Sequence, residues 1–184
     1  MATSTMDRSV RIARAVAAGL VFVTAAYHLW WGFPRMLVYL QGLGSLASRG
    51  LIPDPRPFLF VAFALVLLAG PYLVTRDYLT VRRGYLAGAG LMVLSFLAWV
   101  AWHQTGHGAF LTGLPAPETG GHTHGGVLYT IYDHYVTTPI EGVIKSVELL
   151  AAGLFAWLLR RDPAASASTD DGEAPVGGDR ATRE

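Results

Sequence analysis

The sequence predicts an all-α membrane protein: a four-helix transmembrane up-down bundle with a short interfacial helix and a disordered acidic C-terminal tail. Three observations carry that expectation: long apolar runs without charge, an uneven distribution of arginine around them, and tryptophans at their ends. A chain of 184 residues, 52% hydrophobic and 15% charged, has room for one compact domain or a small membrane bundle.

No Asp, Glu, Lys or Arg interrupts the chain between Arg14 and Arg35, between Arg56 and Arg76, or between Arg83 and His103. At about 1.5 Å per helical residue, each run covers a hydrocarbon core of roughly 30 Å. A soluble domain keeps a polar face on its helices, and these runs have none. They place spans at about 15–33, 57–75 and 84–103. A fourth span is expected at 139–159: it carries Glu141, Lys145 and Glu148, but its second half is apolar and stops at Arg160 and Arg161. The transmembrane domain is thus 1–161, and 162–184 is the tail.

Lysine and arginine near span ends set orientation. Arg8, Arg11, Arg14, Arg76, Arg82, Arg83, Arg160 and Arg161 fall on one side; Arg35, Arg49 and Arg56 fall on the other. Both termini are therefore expected in the cytoplasm, with the connection 104–137 outside, in a multi-pass protein of the cell membrane. The first span begins like a secretory signal, but its apolar run continues past Val23-Thr24-Ala25 to Arg35, which favours an uncleaved anchor. Trp30, Trp31, Trp99 and Trp102 sit near expected outer ends and Trp157 near an inner one, where interfacial aromatics belong.

Between the first two spans, Met36, Leu40, Leu43 and Ala47 recur at helical spacing, which predicts the short surface helix. Pro53-Asp54-Pro55 then predicts an extended turn. From Asp162 onward six acids and two arginines accompany small residues, a composition too polar to bury a core. Thirteen arginines to one lysine, with that tail, resembles the usage of extreme halophiles and says nothing of activity.

The absence of cysteine excludes disulfides, iron–sulfur clusters and thiol nucleophiles. A net charge of +1 argues against nucleic-acid binding. The expected partners are the lipid bilayer and a homo-oligomer or membrane complex.

Five of six histidines gather at the third connection: His103, His107, His122, His124 and His134, with Glu118 and Asp133 as acidic companions. Neutral imidazole suits zinc or copper, and a carboxylate can complete the shell. The candidate metal ligands are therefore His103, His107, His122, His124, His134 and Asp133. The alternative is a solvated polar loop, since no specific zinc-protease motif is present. Haem b would need paired axial imidazoles, for which His28 and His103 are the nearest candidates.

His28 lies inside the first span on a stripe with Thr24, Trp31, Gly32 and Arg35. Thr138-Pro139-Ile140-Glu141 reads as a capping box with proline at the first helical position. Lys145 and Glu148 follow on the face of Glu141, with Glu148 about 15 Å along the helix, near the bilayer midplane. Glu148, Lys145, Glu141 and His28 form the candidate intramembrane polar site, either a packing ion pair or a protonatable group. Gly84 and Gly88 form a GxxxG match, read as helix packing.

The function expected is that of a small polytopic membrane protein, an accessory subunit holding a metal ion or cofactor at its outer face. The alternatives are a small proton-coupled carrier using Glu148 and Lys145, a haem- or copper-dependent oxidoreductase, and a scaffold without chemistry. No catalytic residue is assigned.

Overall fold

A computed structural model describes residues 2–49, 54–105 and 126–167. These are helical and contain no strand. The helices are α1 (Ala2–Ser48), α2 (Arg56–Thr75), α3 (Val81–Gln104), α4 (Val127–Thr137), α5 (Pro139–Arg161) and α6 (Pro163–Ala167). Four of them, α1, α2, α3 and α5, are long and apolar enough to cross a membrane.

The short interfacial helix is corrected. Residues 35–48 do not form a separate element; they continue α1 straight through Pro34. Proline removes one backbone donor and crowds the preceding turn. Here the Arg35 guanidinium donates to the Trp31 carbonyl at 2.7 Å, so a side chain bonds the turn that the proline disturbs. The spacing of Met36, Leu40 and Leu43 was a true helical signal; what it could not reveal was that the helix never stopped. The extended turn is corrected too: Pro55 has φ −73° and ψ −17°, already helical. The Asp54 carboxylate accepts from the Arg56 backbone N–H at 2.9 Å and starts α2.

Helix α1 lies against α2 and α5, α3 lies against α5, and α2 meets α3 more sparsely. The hydrophobic core joins Val10, Ala13, Ala17, Val21 and Ala25 of α1 to Ala64 and Leu67 of α2, Met92 of α3, and Ala151, Ala152, Phe155 and Leu158 of α5. Alanine at these contacts allows the helix axes to approach closely. Gly88 serves the same end, because a Cβ there would lie 2.8 Å from the Phe155 ring. Gly84 sits against Val74, whereas nothing lies within 4 Å of a Cβ placed on Gly90. Between α2 and α3 the chain reverses through Asp77, at φ 58°, a left-handed conformation that aspartate tolerates better than most residues.

The tail also begins later than expected. Asp162 is buried, and α6 packs Ala165 at 1% exposure; residues 168–184 lie outside the described residues. Asp162 is held because its carboxylate is satisfied by other helices. Arg14 donates to its two oxygens at 2.7 and 2.6 Å, the Tyr85 hydroxyl donates at 2.5 Å, and the Ala164 N–H at 3.0 Å. This cluster brings the start of α1, the start of α3 and the end of α5 to one end of the molecule.

Candidate functional site

The opposite end is built from the last turn of α3, all of α4 and the first turn of α5. Helix α4 exists because Val127–Thr137 forms an 11-residue helix within the stretch expected to be loop. It stops at Thr138, and Pro139 begins α5 immediately. The capping box does not form. The Thr138 hydroxyl instead donates to the His134 carbonyl at 3.4 Å, so it closes α4 rather than opening α5. That leaves the Glu141 side chain available to α3, where the Trp99 indole N–H approaches its carboxylate at 3.4 Å.

Two histidines meet here. His103 Nδ1 donates to the Trp99 carbonyl and His134 Nδ1 to the Thr130 carbonyl, each at 2.8 Å. A carbonyl can only accept, so the hydrogen-bond partners assign the proton to Nδ1 in both rings. The second nitrogens, His103 Nε2 and His134 Nε2, are left facing each other at 3.0 Å. In neutral imidazoles both carry lone pairs, and that arrangement needs a proton or a cation between them. Glu141 Oε2 is 3.7 Å from His134 Nε2. One donor atom from each of His103, His134 and Glu141 lies within 4.8 Å of the others.

The Trp99 ring packs against both imidazoles, at centroid distances of 4.8 and 4.9 Å. Gln104 donates to the Thr130 hydroxyl at 2.7 Å and fastens the end of α3 to α4. Gly142 leaves room for the Tyr135 ring, which a Cβ would meet at 3.0 Å, and the Tyr135 hydroxyl bonds Ser146. The two imidazoles therefore come from helices tied to each other and to α5.

A second polar group lies deeper. Lys145 Nζ donates to both oxygens of Glu148, at 2.9 and 2.8 Å, and to the Ser95 hydroxyl at 3.1 Å. Ser95 in turn donates to Glu148 Oε1 at 3.0 Å. Glu148 is fully buried and Lys145 is 8% exposed. His28 from α1 reaches the same place: its Nδ1 donates to the Thr24 carbonyl at 2.8 Å, and its Nε2 stands 3.7 Å from Glu148 Oε1. The ring is wedged edge-on against Phe60 and Phe63 of α2.

Between the two groups is a cavity of about 400 Å³ reached by residues of both, His28 and Lys145 below, His103 and Glu141 above. Its walls are largely aromatic, with Trp31, Phe60, Trp99 and Trp102 prominent. Arg56 lies over Trp102 at 4.4 Å and over Trp31 at 5.6 Å, while paired with Asp54 at 2.6 Å.

The structure thus divides the residues singled out from sequence. Lys145, Glu148 and His28 come together, while Glu141 belongs with His103 and His134. Asp133 sits on α4 beside His134 but outside this three-residue group. His107, His122, His124 and Glu118 lie outside the described residues. Sequence reasoning missed Ser95, although it is the only serine or threonine in the third apolar run. It also read Trp99 and Trp102 only as interfacial anchors, because an indole N–H gives no spacing signal.

Comparison with protein families, with curated proteins and with solved structures yields no match.

Proposed function

We propose that the chain is a multi-pass membrane protein that holds one transition-metal ion, zinc or copper, at its outer face through His103, His134 and Glu141. Its α1, α2, α3 and α5 form an up-down bundle in the bilayer with both termini in the cytoplasm. The helix contacts agree with this reading. Arg14, Tyr85 and Asp162 meet at the arginine-rich end, and His103, His134 and Glu141 meet at the other. Only 6% of the apolar window of α3 is buried, so lipid is its natural neighbour.

The observation that carries the metal reading is the pair of Nε2 atoms at 3.0 Å with both Nδ1 atoms already committed to carbonyls. Zinc–nitrogen bonds of about 2.05 Å in tetrahedral geometry separate two ligand nitrogens by about 3.3 Å. A small outward adjustment accommodates the ion. The Nδ1–carbonyl bonds also orient the rings and raise ligand basicity, the usual arrangement around a protein-bound metal. Haem is disfavoured for this pair, because ring centroids 4.3 Å apart leave no space for a macrocycle between them.

Metal analysis of the detergent-purified chain after incubation with zinc or copper(II) is expected to find one ion per chain. His103→Ala and His134→Ala should each weaken affinity by more than about 100-fold, and Glu141→Gln by roughly 10-fold. Equal metal content in the double His→Ala variant would overturn the assignment.

A further inference from the structure

We infer that the aromatic cavity is a binding site for a neutral, lipid-soluble ring bearing hydroxyl or oxo groups, a molecule of the quinol or quinone class. The inference does not depend on the metal reading.

The size and the wall composition suit a small organic ligand: about 400 Å³, mostly apolar with a few fixed polar groups. Most of its charges are paired, and Glu141 at the upper wall accepts from the Trp99 indole N–H. Lys145 is paired with Glu148 and Arg56 with Asp54, so a charged ligand finds no unmatched partner in either pair. Two polar groups of lining residues, however, lack a complementary neighbour among the described residues. His28 Nε2 is an acceptor, because Nδ1 carries the proton, yet it faces the carboxylate oxygen of Glu148 at 3.7 Å, another acceptor. The Trp102 indole N–H is buried with no acceptor among the described residues. A ring hydroxyl donating to His28 Nε2 and a ring oxygen accepting from Trp102 would satisfy both. An acyl chain would satisfy neither, and tryptophan and phenylalanine walls offer faces on which a flat ring can stack.

Access is from the lipid side. Leu59 of α2 and Leu94 of α3 line the cavity and are 61% and 62% exposed on apolar outward faces. Ala98, one helical turn beyond Leu94, also lines the cavity and is exposed.

The test is fluorescence titration of the purified chain with decyl-benzoquinone and with its reduced quinol, in the presence of chelator so that metal occupancy does not enter. Trp31, Trp99 and Trp102 are the reporters in the wall. Saturable quenching is expected, lost by at least about tenfold in Ala98→Phe and weakened by roughly fivefold in Trp102→Phe, the worth of one hydrogen bond. Leu65→Ala, on the lipid-facing side of α2 outside the cavity, should titrate like the parent. Two results would overturn the proposal: quenching that stays linear and is indifferent to Ala98→Phe, or displacement by diheptanoyl phosphatidylcholine as effective as by the quinol.

Discussion

The two ends of the molecule each join helices through polar side chains, but they do so in opposite ways. At the Arg14–Tyr85–Asp162 end every donor meets an acceptor: the carboxylate receives two guanidinium bonds, a phenol bond and a backbone N–H. At the His103–His134–Glu141 end, acceptors face acceptors across 3.0 and 3.7 Å. Buried polar groups in folded proteins are nearly always satisfied. The first end is therefore complete as it stands and reads as a structural clamp. The second has two imidazole nitrogens turned toward each other beside a carboxylate, an arrangement that a cation or proton between them would suit. The apolar core reinforces the division, since Val10, Ala13, Ala17 and Leu158 lie toward the clamp, whereas the buried His28, His103, Lys145 and Glu148 lie in the other half.

The Lys145–Glu148 pair lies between these cases and gives the largest stability effect. Its members satisfy each other, so removing one strands the other charge. Lys145→Met is expected to destabilise the chain by about 3–5 kcal/mol, as for other buried pairs broken on one side. Lys145→Met with Glu148→Met should recover most of that loss. Unfolding in detergent, followed by circular dichroism, measures both. If the double variant is stable and Glu148→Gln leaves proton-driven flux in proteoliposomes unchanged, the pair belongs with the clamp as a packing device. Flux abolished by Glu148→Gln would place it with the site.

The clamp itself should respond next. Asp162→Ala removes an acceptor from Arg14 and Tyr85 together and is expected to cost about 1–3 kcal/mol, less than a fully buried pair because Arg14 is 44% exposed. Metal content should not change, which is the sharpest way to separate the two ends. The clamp also has a pH signature. Burial pushes the Asp162 carboxyl upward, but the bonds from Arg14, Tyr85 and the Ala164 N–H outweigh it and hold the group below its ordinary 3.8. A carboxyl depressed in the folded state contributes stability in full above its unfolded value and loses it as pH falls through the folded value. Stability should therefore fall below pH 3.8 in the parent and more shallowly in Asp162→Ala.

How much of this was legible in sequence follows from the range of the interactions. The four long apolar helices were legible because hydropathy is local and additive along the chain. The continuation of α1 through Pro34 was not, since proline removes one helical bond without showing whether the bonds on either side carry the helix onward. His28, Lys145 and Glu148 were legible as costly residues in apolar runs, and i to i+3 spacing paired the last two. Glu141 was legible as a helix-face neighbour of Lys145, but its contacts with Trp99 and His134, 42 and 7 positions away, were not. Asp162 was read as tail because composition averages over a segment, whereas its partner Arg14 lies 148 positions earlier.

The smallest predicted effect probes what couples the two ends. Helix α3 carries Tyr85 into the clamp and His103 into the site, and it is set against α5 where Gly88 meets Phe155. A methyl at Gly88 would stand 2.8 Å from the Phe155 ring, and Phe155 is 9% exposed, so the ring or the helix must give way. Gly88→Ala is expected to cost about 1–2 kcal/mol, crowding offsetting the gain in helix propensity. Gly90→Ala, with nothing within 4 Å, should be neutral or stabilise by up to about 1 kcal/mol. The comparison of thermal midpoints for these two variants isolates packing from propensity. If Gly88→Ala also weakens zinc binding while Gly90→Ala does not, the α3–α5 contact sets the ligand geometry of the site as well as the fit of the clamp. Unchanged zinc affinity in both would mean that the turn holding Trp99, His103 and Glu141 keeps its shape independently of the contact at Gly88.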